Sequence, residues 1–204
     1  MAIMFVMCTL AMTAQDGIQV KFQGAQPTIS DFLTAYLEPT YGEDGECDNE
    51  YMNGIRNAWE RHRKGLKQLE GDSFTLDVRN GFAVYEYKYR EGDSEFLTRF
   101  EMCFWNEADK KHKLVGCSRW SYENDRPSLG QYDGLTFLRY DNATKRMIYS
   151  EAPGFEVEYD NVTYSLPRTG KDLILNKWNA NGQKAQKTLK WNIPLLSSIN
   201  HDLK

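Results

Sequence analysis

SFTLDVRNGFAVYEYKYREGDSEFLTRFEMCFWNEADKKHKLVGCSRWSY, residues 73–122, reads as four antiparallel strands joined by three turns, and it decides the fold. Asn80-Gly81 is a strong two-residue hairpin signal, because both residues tolerate positive φ. Counting outward from a turn that pairs Arg79 with Phe82 places Val78 opposite Ala83, Leu76 opposite Tyr85 and Phe74 opposite Tyr87. The next turn, Glu91 to Ser94, pairs Arg90 with Glu95, Tyr89 with Phe96, Tyr87 with Thr98, Tyr85 with Phe100 and Glu86 with Arg99. The third, Ala108 to His112, closes if Glu107 pairs with Lys113. That register brings Trp105 to Val115, Cys103 to Cys117, Glu101 to Arg119 and Phe100 to Trp120. A slip of one residue there would lose every such pair, because side chains alternate between the two faces.

This pairing predicts one aromatic face, carrying Phe74, Leu76, Tyr85, Tyr87, Tyr89, Phe96, Phe100, Trp120 and Tyr122. The opposite face carries Glu86, Arg99, Glu101 and Arg119 as a charged checkerboard beside Trp105 and Cys103.

Outside the meander, 204 residues suffice for a sizeable core. A formal charge of −4 with no basic stripe excludes nucleic acid as an expected partner. Residues 1–14, MAIMFVMCTLAMTA, contain no charge and run to small residues, which predicts a secretory signal peptide; the competing reading is a buried first strand. No other run reaches the length that spans a bilayer. The mature chain is therefore expected to be exported, to the periplasm or surface of a bacterium or otherwise secreted, without a membrane span. Export permits a disulfide, and the register above makes Cys103 with Cys117 the pair, leaving Cys47 single. Two reduced thiols side by side are the alternative.

Residues 15–204 are expected to form one α+β domain, with a helical part over 27–69, a β-meander over 72–192 and an unassigned tail over 193–204. Ile29, Phe32, Leu33, Tyr36 and Leu37 recur at helical spacing, with Thr28 and Asp31 as a capping box and Pro39 as a stop. A second helix is predicted from an Asp48 cap to Leu69, with Tyr51, Met52, Ile55, Trp59, His62, Leu66 and Leu69 on one face. Its basic remaining surface reads as a solvated face. Later hairpins are expected over Tyr132–Tyr140 with Arg146–Glu151, over Phe155–Tyr159 with Val162–Leu166, and over Asp172–Trp178 with Gln183–Asn192.

An antiparallel meander of about ten strands must curl, close or be covered. The expected architecture is α+β, two N-terminal helices packed on a strongly curved antiparallel β-meander that forms an incomplete barrel. Without any shared motif, this outline resembles the nuclear-transport-factor-like cones, although ten strands exceed that pattern, and the periplasmic lipoprotein carriers and, more distantly, lipocalin-like barrels. Those families hold apolar or lipidated ligands inside the curve, which is what the resemblance implies here.

On that expectation Tyr85, Tyr87, Tyr89, Phe100, Trp120 and Tyr122 are the candidate ligand-binding residues, and a closed aromatic core is the competing reading. The carboxylates of the checkerboard offer an acid and a base for glycoside hydrolysis, but an arginine opposite each would keep both ionised. No catalytic residue, metal ligand or cofactor is assigned. The acids between Glu43 and Glu50 lack the spacing of a helix–loop–helix calcium loop. Cys47 with His62 is a dyad only if the fold joins them, and the sequons at Asn142 and Asn161 fall in predicted turns. The chain thus reads as a non-enzymatic binding protein for an apolar or amphipathic small molecule, a glycan or a protein. A carboxylate-dependent hydrolase and a purely structural partner are the alternatives.

Overall fold

A computed structural model describes residues 17–158 and 160–190. The expected signal peptide and the tail from 193 lie outside the described residues. The first short strand, β1 (Ile18–Gln19), precedes helix α1 (Ile29–Tyr36), a single 3-10 turn (Glu50–Met52) and helix α2 (Asn53–Arg63). The Asp31 carboxylate accepts from the Thr28 backbone N at 2.7 Å and from its Oγ1 at 2.8 Å, closing the expected capping box. Helix α2 is shorter than its apolar periodicity suggests. Gly65, at φ 64°, turns the chain left-handed, and the amides of Leu66 and Gly65 return to the carbonyls of Arg61 and His62 at 2.8 and 3.0 Å. This is a Schellman stop, which only glycine adopts without a Cβ penalty. Leu66 and Leu69 consequently lie outside the helix, 50 % and 47 % exposed. Asn49 rather than Asp48 opens the second helical stretch.

The strands β2 (Asp72–Asp77), β3 (Phe82–Glu91), β4 (Ser94–Asn106), β5 (His112–Glu123), β7 (Gly134–Asp141) and β8 (Arg146–Ser150) form a mostly antiparallel sheet, strongly curled into a half-barrel. Its order is β1-β8-β7-β5-β4-β3-β2, with the two-residue β6 (Arg126–Pro127) added to β5. The remaining strands β9 (Val162–Ser165), β10 (Leu173–Trp178) and β11 (Lys184–Leu189) form a separate sheet in the order β11-β10-β9. The pairing of β10 with β11 follows the expected last hairpin. Phe155 to Glu158 form no strand, however, and β9 takes β10 as its neighbour instead.

The register of the central meander agrees with the sequence at one turn and departs from it at two. Arg90↔Glu95, Glu86↔Arg99 and Tyr85↔Phe100 all pair as read. At Asn80-Gly81 the turn holds four residues, so Asp77 rather than Arg79 faces Phe82. The Asp77 carboxylate accepts from the Asn80 backbone and side chain at 3.1 and 2.7 Å, and Gly81 alone takes positive φ, at 64°. The third hairpin is slipped by one. Asn106 pairs with Lys113, Cys103 with Gly116, Met102 with Cys117, Glu101 with Ser118 and Phe100 with Arg119.

That slip separates the two cysteines. Directly opposed residues share a face, so Cys103 joins Phe82, Trp105, Trp120 and the second sheet, while Cys117 joins Phe100, Met102 and the helices. Both are buried free thiols, and the expected Cys103–Cys117 disulfide does not form. For the same reason Trp120 and Tyr122 leave the aromatic face. Trp120 Nε1 donates to the Tyr164 carbonyl at 2.8 Å and the Tyr122 hydroxyl to Thr163 Oγ1 at 3.1 Å, both on the three-stranded sheet. The large sheet is thus covered twice. One core joins Ile29, Phe32, Leu33, Ile55 and Trp59 to Tyr85, Phe100, Met102, Leu138 and Tyr140. The other joins Trp105, Trp120 and Phe137 to Val162, Tyr164 and Leu173.

Candidate functional site

The interior of the half-barrel is filled, since Phe32, Leu33, Phe100, Met102 and Leu138 are at most 1 % exposed. Among several surface concavities of the described residues, two lie together at its helix-side mouth. Two adjoining concavities of about 300 and 560 Å³ share Tyr36, Tyr51 and Met52, and run between α1, the 3-10 turn and the β7–β8 wall. Their floor follows from the observed register. Across the sheet Phe100 lies opposite Arg119 and Arg119 opposite Gly134, so these three share the helix-side face, as do Leu138, two same-face pairings further along β7, and its partner Tyr149.

Arg119 and Asp133 fix the polar end. Asp133, fully buried in its side chain, accepts from Arg119 Nη1 at 2.8 Å, Ser121 N at 3.1 Å, Ser121 Oγ at 3.2 Å and Gly130 N at 2.8 Å. It thereby pins the loop that presents Gln131 and Tyr132. Arg119 Nε is buried and has no hydrogen-bond partner among the described residues. Nothing lies within 4 Å of where a Cβ on Gly134 would stand, which leaves open room beside the guanidinium.

Tyrosines form the walls. Tyr36 stacks on Phe100 with ring centroids 6.1 Å apart. The rings of Tyr51, on the 3-10 turn, and Tyr132, on the loop before β7, lie parallel within 4° at 4.1 Å and bridge the two sides of the cleft. Tyr149 is 65 % exposed at the outer end. Burial raises the pKa of Tyr36 well above the ordinary phenol value and raises that of Tyr51, and burial likewise pushes up the Cys117 thiol against Tyr36. All three stay protonated at neutral pH and are hydrogen-bond donors.

Of the residues selected from the sequence, only Phe100 borders this cleft. Tyr85 is buried beneath the helices, its hydroxyl donating to Asp72 Oδ1 at 2.8 Å, and burial raises its pKa. Near the free end of the β3–β4 hairpin Tyr87 stacks on Tyr89 and Tyr89 on Phe96, at centroid distances of 5.5 and 4.8 Å. Trp120 and Tyr122 lie on the other face. Sequence reading missed Tyr36, Tyr51, Arg119, Tyr132 and Tyr149 as a group, since they come from five separate segments. The one available signal was the pair Tyr132-Asp133 in a Gly- and Asp-rich connection.

The charged checkerboard is a closed ladder. Arg99 contacts Glu86 through Nη1, and donates to Glu101 Oε1 from Nε at 2.8 Å and from Nη2 at 2.6 Å. Glu101 Oε2 accepts from the buried Leu166 amide at 2.7 Å. Glu101 is 3 % exposed and tied to the second sheet, a poor position for an acid that must reach substrate. Arg119 stands on the opposite face from this ladder. Cys47 gives its thiol proton to Asn49, whereas His62 stacks with Trp59 and Phe74, so no dyad forms. Donor atoms of Glu107, Asp109 and His112 lie within 4.8 Å of one another at the β4–β5 turn. Arg139 bonds both Glu107 oxygens, at 2.8 and 2.7 Å, and fills the place a cation would take. Among the described residues no helix is long and apolar enough to cross a membrane. The chain matches no protein-family description, no curated protein and no solved structure at a significant level.

Proposed function

We propose that this is a non-enzymatic binding protein that acts after export and holds an amphipathic ligand in the tyrosine-lined cleft. The observation that carries the reading is the pair of adjoining concavities that share Tyr36 and Tyr51, one with Tyr132 and with Arg119 at its base, the other with Tyr149 at its outer end. Aromatic rings beside convergent polar groups, as here, can hold and orient a small molecule. A half-barrel with helices over its concave side is similar in outline to the lipocalin-like and lipoprotein-carrier folds. Here the ligand sits at the mouth, because side chains occupy the interior. The uncharged stretch 1–14 supports placement outside the cytoplasm, in the periplasm, on the cell surface or in the medium.

The test is a fragment screen followed by backbone amide shifts, on wild type and on Gly134→Leu. Gly134 has no positive φ and open space around its absent Cβ, so leucine fits the backbone and fills the cleft. Fragments that move residues 36–40, 49–52, 117–119 and 131–136 in wild type, and no longer do so in Gly134→Leu, support the reading. Binding that maps elsewhere, or survives the block, refutes it.

A further inference from the structure

We infer that the ligand is an uncharged pyranose unit of a glycan. This rests on the cleft being the binding site. Arg119 would ordinarily mark an anion site, but its charge is already answered. Asp133 holds Nη1 and is itself fixed by Ser121 and Gly130 through three further hydrogen bonds, so it cannot swing aside for an incoming carboxylate or phosphate. An anionic ligand would meet a guanidinium and a carboxylate together, with no net charge to gain from.

What the floor still offers is hydrogen-bonding capacity. The side chains of Tyr51 and Gln131, both exposed, stand along the same cleft. Phenols and amides both donate and accept, as sugar hydroxyls do. An alkyl chain would bury these groups without partners, at a cost for each. A pyranose also has a flat C–H face that packs on an aromatic ring. The parallel Tyr51–Tyr132 pair is 36 % and 48 % exposed, so it leaves ring surface open to such contact. Gly134 leaves space beside Arg119 for the ring's hydroxyls.

The experiment titrates the protein with maltotriose, cellotriose, chitotriose and xylotriose, with trigalacturonate as an acidic sugar and with decanoate and indole as non-sugar probes. Amide shifts are read at low and at high salt. The expected result is binding of at least one neutral trisaccharide at the cleft, with an affinity that salt does not change. Tyr132→Ala, at a half-exposed site that the fold tolerates, weakens it about tenfold. Gln131→Ala, at an exposed loop position of the same cleft, also weakens it several-fold. Trigalacturonate binding more tightly than every neutral sugar, and losing affinity in salt, overturns the inference. Decanoate or indole shifting the cleft while no sugar does also overturns it, yet leaves the cleft as the binding site. Failure of all seven probes to move any cleft residue overturns the inference and the site together.

Discussion

Replacing Glu101 by alanine should untie the two sheets. Its side chain sits between them, 3 % exposed, with Oε1 on Arg99 and Oε2 on the Leu166 amide at 2.7 Å and on Ser118 Oγ at 3.4 Å. Truncation leaves the buried Leu166 N–H without an acceptor, a loss of about 1–3 kcal/mol. Breaking a buried ion pair costs about 3–5 kcal/mol when the surviving charge is stranded. Arg99 is not stranded. It keeps Glu86 and its side chain is 35 % exposed, so only a part of that penalty applies. About 3 kcal/mol is the expected total for Glu101→Ala. Glu101→Gln retains shape and one oxygen for Leu166 but turns an amide NH₂ toward other donors, and should cost about half as much. Urea unfolding at neutral pH measures both, and amide exchange at Leu166 reports whether the local tie is lost. A cost below about 1 kcal/mol for Glu101→Ala, or a larger one for Glu101→Gln, would refute the role assigned to this carboxylate.

Three further outcomes follow from single side chains. Tyr140 is fully buried, with a hydroxyl that has no partner among the described residues, so Tyr140→Phe should raise stability by up to about 1 kcal/mol in thermal unfolding, and a loss of that size would contradict the packing. Cys103 and Cys117 should resist iodoacetamide in the folded protein while the half-buried Cys47 reacts, and an unchanged mass on reduction should confirm that these cysteines, the three among the described residues, are thiols. Asp77 is held down to about 2, first by the Asn80 side chain and then by Arg168. Because that value lies below the unfolded one, its contribution is complete above about pH 4 and is lost as pH falls toward 2. Carbon-detected NMR titration should place its midpoint near 2 and Asn80→Ala should raise it; a wild-type midpoint near 4 is the contrary result.

The sequence was most legible where local chemistry alone decides the conformation. Helix α1 has its box at Thr28 and Asp31, a clean apolar stripe, and no competing signal, and it forms where expected. The hairpin around Gly92-Asp93 is short enough that only one register closes it. Periodicity failed in α2, because Leu66 and Leu69 continue the stripe past a glycine that stops the helix. An Asn-Gly pair suggested a two-residue turn, but Asp77 three residues before Asn80 offered the backbone a better-bonded four-residue one. The cleft was illegible for a different reason. Its residues come from α1, the 3-10 turn, strand β5, the loop before β7 and strand β8, and no spacing rule links them.

The one-residue slip between β4 and β5 shows why register is hard to read in a sheet covered on both sides. Alternation identifies the inner face only when the outer face is wet. Phe100 to Cys103 and Lys113 to Ser118 are buried without a break, so apolar residues occupy both parities and either register sets apolar against apolar. The turn then decides. Closing on Glu107 and His112 leaves four loop residues, with Lys110 left-handed at φ 58° and Asp109 Oδ1 accepting from the amides of Lys111 and His112 at 2.9 and 3.0 Å. A five-residue loop would lose that arrangement. The slip also puts Gly116 under the Trp105 ring, whose nearest carbon lies 3.0 Å from a would-be Cβ, so any larger residue there would have to push the ring back by a few tenths of an ångström. Everything distinctive about the site follows from this choice. In the other register Arg119 would lie with Glu101 beneath the second sheet; in the observed one it crosses to the helix side, meets Asp133 and becomes the floor of the cleft.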